Sequence, residues 1–224
     1  MCFELTIPIS DGIVRLSSAY AETDQEIFNA NPEDIRYNWF GNSIQTLPND
    51  KVAISAPLTP KPNQRIAGEV QIFTILPNST LQLSQIISDP TFPDESDQFG
   101  YAMIQADLNV DNKVRSCLII GAPTSSYGIH TNGGSVYIYD ATTFELLSQI
   151  HSNRALGRFG RSFGQSKDYL LIGAPRYHNV RKFQSMYKKI FYINVDFRKR
   201  MLFMRKGLSL QSPKPKTYLL ETSL

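Results

Sequence analysis

The chain has 224 residues, 42% of them hydrophobic, with 23 basic and 20 acidic residues and a formal net charge of +3. No run of about 18 apolar residues occurs, which excludes a transmembrane helix, and no stretch keeps a helical hydrophobic period over about twelve residues. The net charge hides an asymmetry: residues 1–175 carry 11 basic and 18 acidic residues, whereas residues 176–224 carry 12 basic and 2 acidic ones.

Residues 1–37 form a lead-in. It opens on Met1-Cys2-Phe3-Glu4-Leu5-Thr6-Ile7, which has neither the basic start nor the long apolar core of a signal peptide. The first repeated unit, 38–96, runs from Phe40-Gly41 through the apolar run Val52-Ala53-Ile54 to Ser55-Ala56-Pro57, then to Gly68-Glu69-Val70-Gln71-Ile72-Phe73 and Leu83-Ser84-Gln85-Ile86. The second, 97–156, repeats this order with Phe99-Gly100, Leu118-Ile119-Ile120, Gly121-Ala122-Pro123, Gly134-Ser135-Val136-Tyr137-Ile138-Tyr139 and Leu147-Ser148-Gln149-Ile150. The third, 157–178, has Phe159-Gly160, Leu170-Leu171-Ile172 and Gly173-Ala174-Pro175, with no Gly-x-Val-x-Ile strand after it.

The glycine of the Phe-Gly pair recurs after 59 and then 60 residues. A fixed period of this size marks one supersecondary unit, which must stack on its neighbours to bury its apolar faces. The apolar runs are short and bounded by Gly and Pro, so they read as buried strands, and Pro ends the pairing because it has no amide hydrogen for the ladder. Strict alternation in the Gly-x-Val-x-Ile segments reads as a half-buried strand. With the segment after Phe-Gly and the Leu-Ser-Gln-Ile strand, each period holds about four strands, the content of a propeller blade. Cys117 leads into a buried run and reads as a core thiol.

Phe-Gly, Gly-Ala-Pro and Gly-x-Val-x-Ile at this spacing resemble FG-GAP repeats, the blades of the β-propeller in integrin α subunits and in glycosylphosphatidylinositol-specific phospholipase D. The resemblance covers residues 38–177. It implies an all-β fold of FG-GAP propeller blades, here a partial ring of about two and a half to three blades with an irregular basic C-terminal tail. Propellers close with about 4–8 blades, so the expectation is a segment of a longer ring.

Residues 107–115 read Asp107-Leu108-Asn109-Val110-Asp111-Asn112-Lys113-Val114-Arg115. Oxygen side chains at alternate loop positions suit a hard cation, so Asp107, Asn109, Asp111 and the Lys113 carbonyl are the candidate Ca²⁺ ligands. The family resemblance places such a calcium loop between the first two strands of a blade. Asn112 stands where a turn glycine is usual, Arg115 stands in place of a ninth-position carboxylate, and the loop is two residues longer than the family pattern. The corresponding segments of the other units, Leu47-Pro48-Asn49-Asp50-Lys51 and Gly164-Gln165-Ser166-Lys167-Asp168, read as tight hairpin turns. Asn78-Ser79-Thr80 is an N-glycosylation sequon, with Asn78 the acceptor.

His130, His151 and His178 have no partner at metal-ligand spacing, and no nucleophile elbow or P-loop occurs, so the chain carries no recognisable catalytic constellation. The tail 179–224 interleaves Lys188-Lys189, Arg198-Lys199-Arg200 and Arg205-Lys206 with Tyr187, Phe191, Tyr192, Phe197 and Phe203. It reads as a disordered or non-native end; contact with an anionic membrane surface is the alternative, and nucleic acid is not expected.

The resemblance implies two functional readings. One is the non-catalytic propeller portion of a phospholipase D acting on GPI anchors, whose hydrolytic domain is absent from this chain, with GPI-anchored proteins as partners. The other is an integrin-α-like adhesion or ligand-binding propeller with an extracellular protein ligand. Both imply an extracellular or secretory-pathway location.

Overall fold

The computed structural model describes residues 3–4, 14–18, 21–27, 38–60, 66–90, 97–110, 113–166, 169–176, 189–194, 208–209, 217–219 and 221–222. The regular elements among them are all strands. In the lead-in, β1 (Phe3–Glu4), β2 (Val14–Ser18) and β3 (Ala21–Ile27) make a three-stranded antiparallel sheet. The first unit is an antiparallel sheet of β4 (Ile44–Leu47), β5 (Lys51–Ala56), β6 (Glu69–Ile75) and β7 (Leu81–Ser88), in chain order. The second unit has the same four-strand order in β8 (Ala102–Val110), β9 (Lys113–Ala122), β10 (Ser135–Asp140) and β11 (Leu146–His151).

In the third unit β12 (Ser162–Ser166) and β13 (Tyr169–Ala174) pair as expected, and β14 (Lys189–Asn194) adds antiparallel to β13, with Ile172 opposite Phe191. This strand lies in the segment that sequence reading assigns to the irregular tail. Its Ile190-Phe191-Tyr192-Ile193 run is β-prone, but no glycine announces it. Further along, β15 (Leu208–Ser209) pairs with β17 (Glu221–Thr222), and β16 (Thr217–Leu219) runs parallel to β11 at the outer edge of the second unit.

Strand alternation sorts the apolar residues into three layers. Val52, Ile54 and Ala56 of β5 join Phe40 and Phe73 on the outer face of the first unit. Ala53, Val70, Ile72 and Ile87 face the second unit, where Phe99, Leu118, Ile120, Ala122 and Tyr137 meet them. From the opposite face of the second unit, Cys117, Ile119, Val136 and Ile138 pack on Phe159, Leu170, Ile172 and Ala174 of the third. The units approach each other most closely at their first strands, β4 against β8 and β8 against β12. There Ser43 Oγ accepts the Met103 N–H (3.2 Å), and Gln45 Oε1 accepts the Gln105 N–H (3.1 Å).

The repeated letters spell the joints between these layers. In each unit the N–H of the Phe-Gly glycine donates to the carbonyl just before Ala-Pro: Gly41 to Ser55 (2.8 Å), Gly100 to Gly121 (3.1 Å) and Gly160 to Gly173 (3.2 Å). The N–H of the phenylalanine reaches back into the preceding unit, Phe99 to Ala67 and Phe159 to Gly133, both at 2.9 Å. The residue after Ala-Pro closes the loop, with Leu58, Thr124 and Arg176 donating to Asn38, Asp97 and Gly157. Gly68 and Gly134, with φ of +81° and +93°, lie against the backbones of Phe99 and Phe159, where a Cβ would collide with a main-chain oxygen. The residue before each Phe-Gly pair is left-handed: Trp39 at φ 58°, Gln98 at 54° and Arg158 at 53°.

One feature of the repeat is coincidental. The two Leu-Ser-Gln-Ile strings fall on the fourth strands, β7 and β11, yet they differ in register. Val70 pairs with Ile87, whereas its counterpart Val136 pairs with Ile150. Ile87 is therefore the structural equivalent of Ile150, and the identical letters are offset by one residue. A one-residue offset turns every side chain to the opposite face. Accordingly Ile86 is 43% exposed, while Ile87 and Ile150 are buried.

Candidate functional site

The candidate cation ligands fall at the end of the β8–β9 hairpin. Pairing runs without interruption from Ala102↔Gly121 to Val110↔Lys113, with Asp107 opposite Ser116 and Asn109 opposite Val114. Asp107 and Asn109 thus sit at alternate positions of β8, Lys113 opens β9, and Asp111 lies outside the described residues. Asp107 is exposed and accepts a long hydrogen bond from Gln105 Nε2 (3.4 Å). Three rungs separate Asp107 from Lys113, about 10 Å along the strands, whereas Ca²⁺ holds its oxygens at about 2.3–2.6 Å. Asp111, the turn beside it and the side chain of Asn109 lie outside the described residues.

Arg115, whose charge stands in the candidate loop, is engaged elsewhere. Its guanidinium reaches Asp140 Oδ2 on β10 at 3.3 Å. Asp140 Oδ1 accepts the N–H groups of Thr142 (2.9 Å) and Thr143 (3.1 Å). Burial pushes the Asp140 carboxyl up, but the two backbone donors and Arg115 outweigh it and hold the group below the usual carboxylate range. Cys117, next along, is fully buried, and burial followed by the Asp140 charge raises its thiol to about 12, so it is an inert core residue.

Asn78 sits exposed at the tip of the β6–β7 hairpin, within the turn closed by Ser79 N–H to Leu76 and Leu76 N–H to Thr80. Its Oδ1 accepts both the Thr80 N–H (3.2 Å) and the Thr80 hydroxyl (2.7 Å). The sequon is thus presented on a projecting turn with its hydroxyl on the acceptor amide.

Sequence reasoning missed a buried polar chain at the junction of the first two units. Asp89, just past β7, accepts the Tyr137 hydroxyl at 2.6 Å. The Tyr137 ring stands edge-on to His151, and Tyr127 stacks flat on the imidazole at 4.1 Å between centroids. His151 Nδ1 lies 2.8 Å from Ser135 Oγ, which lies 2.6 Å from Ser125 Oγ. A serine–histidine contact of this length is what a nucleophile–base pair requires. However, Ser125, Ser135 and His151 are each 1% exposed or less, so the pair reaches no solvent. Burial lowers the His151 pKa to about 4 against the opposing pull of Asp89, which keeps the ring neutral. No local sequence signal marks this chain, because its members are separated by up to 62 residues and are joined only by strand pairing.

No group of three or more His, Cys, Asp or Glu side chains suited to a metal occurs among the described residues. Most of the basic tail lies outside the described residues, as do Cys2 and His178. Comparison with protein-family models and with curated protein sequences finds no match for the chain.

Proposed function

We propose that the chain is a non-catalytic segment of an FG-GAP β-propeller that acts as a binding scaffold, of the kind attached to a phospholipase D specific for GPI anchors. The observation that carries this reading is the joint itself. Each Phe-Gly glycine ties its own Ala-Pro strand end, and Phe99 and Phe159 also tie the preceding unit through backbone bonds that recur from the first joint to the second. Convergence of the first strands β4, β8 and β12 supports a radial arrangement, since blades of a propeller meet at their inner strands. On this reading the partners are GPI-anchored proteins, the location is extracellular or secretory, and Asn78 carries a glycan. Membrane-surface contact through the basic tail belongs to the same proposal.

An integrin-α-like adhesion propeller is the second reading. It is favoured by the loop 124–134, whose tip residue Ile129 is 88% exposed, as a ligand-presenting loop would be. Sequencing the transcript across both ends of the reading frame separates the two. Further Phe-Gly/Gly-Ala-Pro units with an upstream His/Asp-rich domain are expected for the phospholipase, and a downstream stalk with a membrane helix for the receptor. A frame bounded at both ends by stop codons, with no further unit, would sink both readings.

Calcium enters this proposal as a ligand of an opened β8–β9 turn, in which residues 109–113 leave the ladder so that Asp107, Asn109, Asp111 and the Lys113 carbonyl converge. The expected result is a rise in Tm with millimolar Ca²⁺ that Asp111→Ala abolishes. An unchanged Tm removes the ion from the reading and leaves the propeller scaffold standing.

A further inference from the structure

We propose that Arg158, Arg161 and Arg176, at the joint between the second and third units, form a binding site for a phosphate-type oxyanion. The backbone gathers the three. The Arg176 N–H donates to the Gly157 carbonyl (3.2 Å), which sets Arg176 beside Arg158. The Arg161 N–H donates to Gly173 (3.3 Å), one strand end away from Arg176, and its guanidinium carbon lies 4.6 Å from the centre of the Tyr101 ring. Stacking on an aromatic face orients the planar group and leaves its edge free to donate.

These cations repel one another. Burial and then the charges of Arg176 and Arg161 hold the Arg158 guanidinium below its ordinary value. Among the described residues, no carboxylate pairs with any of the three.

The fold does not need the charge. The same three positions around the Phe-Gly pair are Trp39, Asn42 and Leu58 in the first unit and Gln98, Tyr101 and Thr124 in the second. The backbone bonds at those positions are nevertheless the same, Leu58 to Asn38 and Thr124 to Asp97. Three arginines in one unit, at positions that are neutral in the other two, are therefore surplus to blade construction. An arginine fork matches phosphate and carboxylate oxygens bidentately. Three forks near enough to repel one another offer more donors than the two oxygens of a carboxylate need, and suit the three free oxygens of a phosphate monoester. The inference goes beyond the propeller reading, for it needs only the joint between the second and third units.

The test is thermal unfolding of the full chain in inorganic phosphate against chloride at constant ionic strength. It compares the natural sequence with Arg158→Gln/Arg176→Thr, which installs the residues that the second unit carries at the same positions. The expected result is a phosphate-dependent rise in Tm whose apparent affinity falls at least about tenfold in the variant. In chloride alone the variant should match or exceed the natural chain, because a repulsion has been relieved. Flotation with vesicles containing phosphatidate distinguishes the source of the phosphate. Binding that inorganic phosphate competes away and the variant loses assigns a lipid headgroup, and its absence beside a phosphate response assigns a soluble monoester. Equal phosphate responses in both chains, no response in either, vesicle binding unchanged in the variant, or a variant less stable in chloride would each overturn the proposal.

Discussion

The joint between the first and second units and the joint between the second and third are made by the same main-chain bonds and lined by different chemistry. At the first, Phe99 N–H meets Ala67, and the residues around it are Gln98, Tyr101 and Thr124. At the second, Phe159 N–H meets Gly133, and the surrounding residues are Arg158, Arg161 and Arg176. What recurs is what the backbone needs: a glycine where two chains touch, a phenylalanine in the layer, a proline to end the ladder. What differs is free of the architecture. The Asp89–Tyr137–His151 chain belongs to the first joint alone, because its histidine stands where the first unit has Ser88.

The severest way to break the comparison is to put a side chain into the contact itself. Gly68→Ala and Gly134→Ala should each cost above about 4 kcal/mol, since a Cβ would strike phenylalanine backbone and the positive φ adds strain. Gly164→Ala, whose Cβ would meet Leu171 at 3.6 Å, should cost under about 1 kcal/mol. Denaturant titration of the three checks this, and unequal losses at Gly68 and Gly134 would show that the joints are not alike. Next in size is the register of the fourth strands, β7 and β11. Ile87→Ala should lose about 2–5 kcal/mol, as Ile150→Ala should, while Ile86→Ala should lose under about 1 kcal/mol. The reverse order would restore the equivalence of the identical letters.

The pH response should separate the joints chemically. The folded pKa of His151 is lowered from 6.5 to about 4, so the unfolded chain takes up a proton first as pH falls. Stability conferred by the neutral ring is complete above 6.5, declines between 6.5 and about 4, and levels off below. The full span is worth up to about 3 kcal/mol. His151→Asn should flatten that part of the stability profile, and an undiminished slope would place the titration elsewhere. Smallest is the left-handed entry residue. Gln98→Gly and Arg158→Gly should each stabilise by about 0.5–1 kcal/mol, measured as a raised denaturation midpoint, because relief of the positive φ exceeds the glycine entropy cost.

Much of this molecule was legible in its letters because the joints are built from residues that few others can replace. Phe40, Phe99 and Phe159, the Ala-Pro strand ends and the buried Cys117 all stand where the period and the apolar runs put them. The fourth-strand offset was not legible, since a bulge at Ser84 and another at Leu147 set the register and identical letters conceal a slip of one. Nor was β14, whose pairing with β13 crosses the charge boundary near residue 176. The candidate cation loop was read from alternate oxygens, and Asp107 and Asn109 do fall at alternate positions of β8. The arginines straddle that charge boundary, so the charge count separated Arg176 from Arg158 although both lie in the third unit.

Phe99-Gly100 and Phe159-Gly160 each complete the unit before them as well as their own, and this has a bearing on the order of events during synthesis. The first unit lacks the backbone partner for Ala67 until Phe99 has left the ribosome, and the second lacks that for Gly133 until Phe159 has. At about 5–20 residues per second, a period of 59 or 60 residues leaves every nascent layer waiting several seconds for its successor. In that interval the exposed apolar face is the one a chaperone would meet.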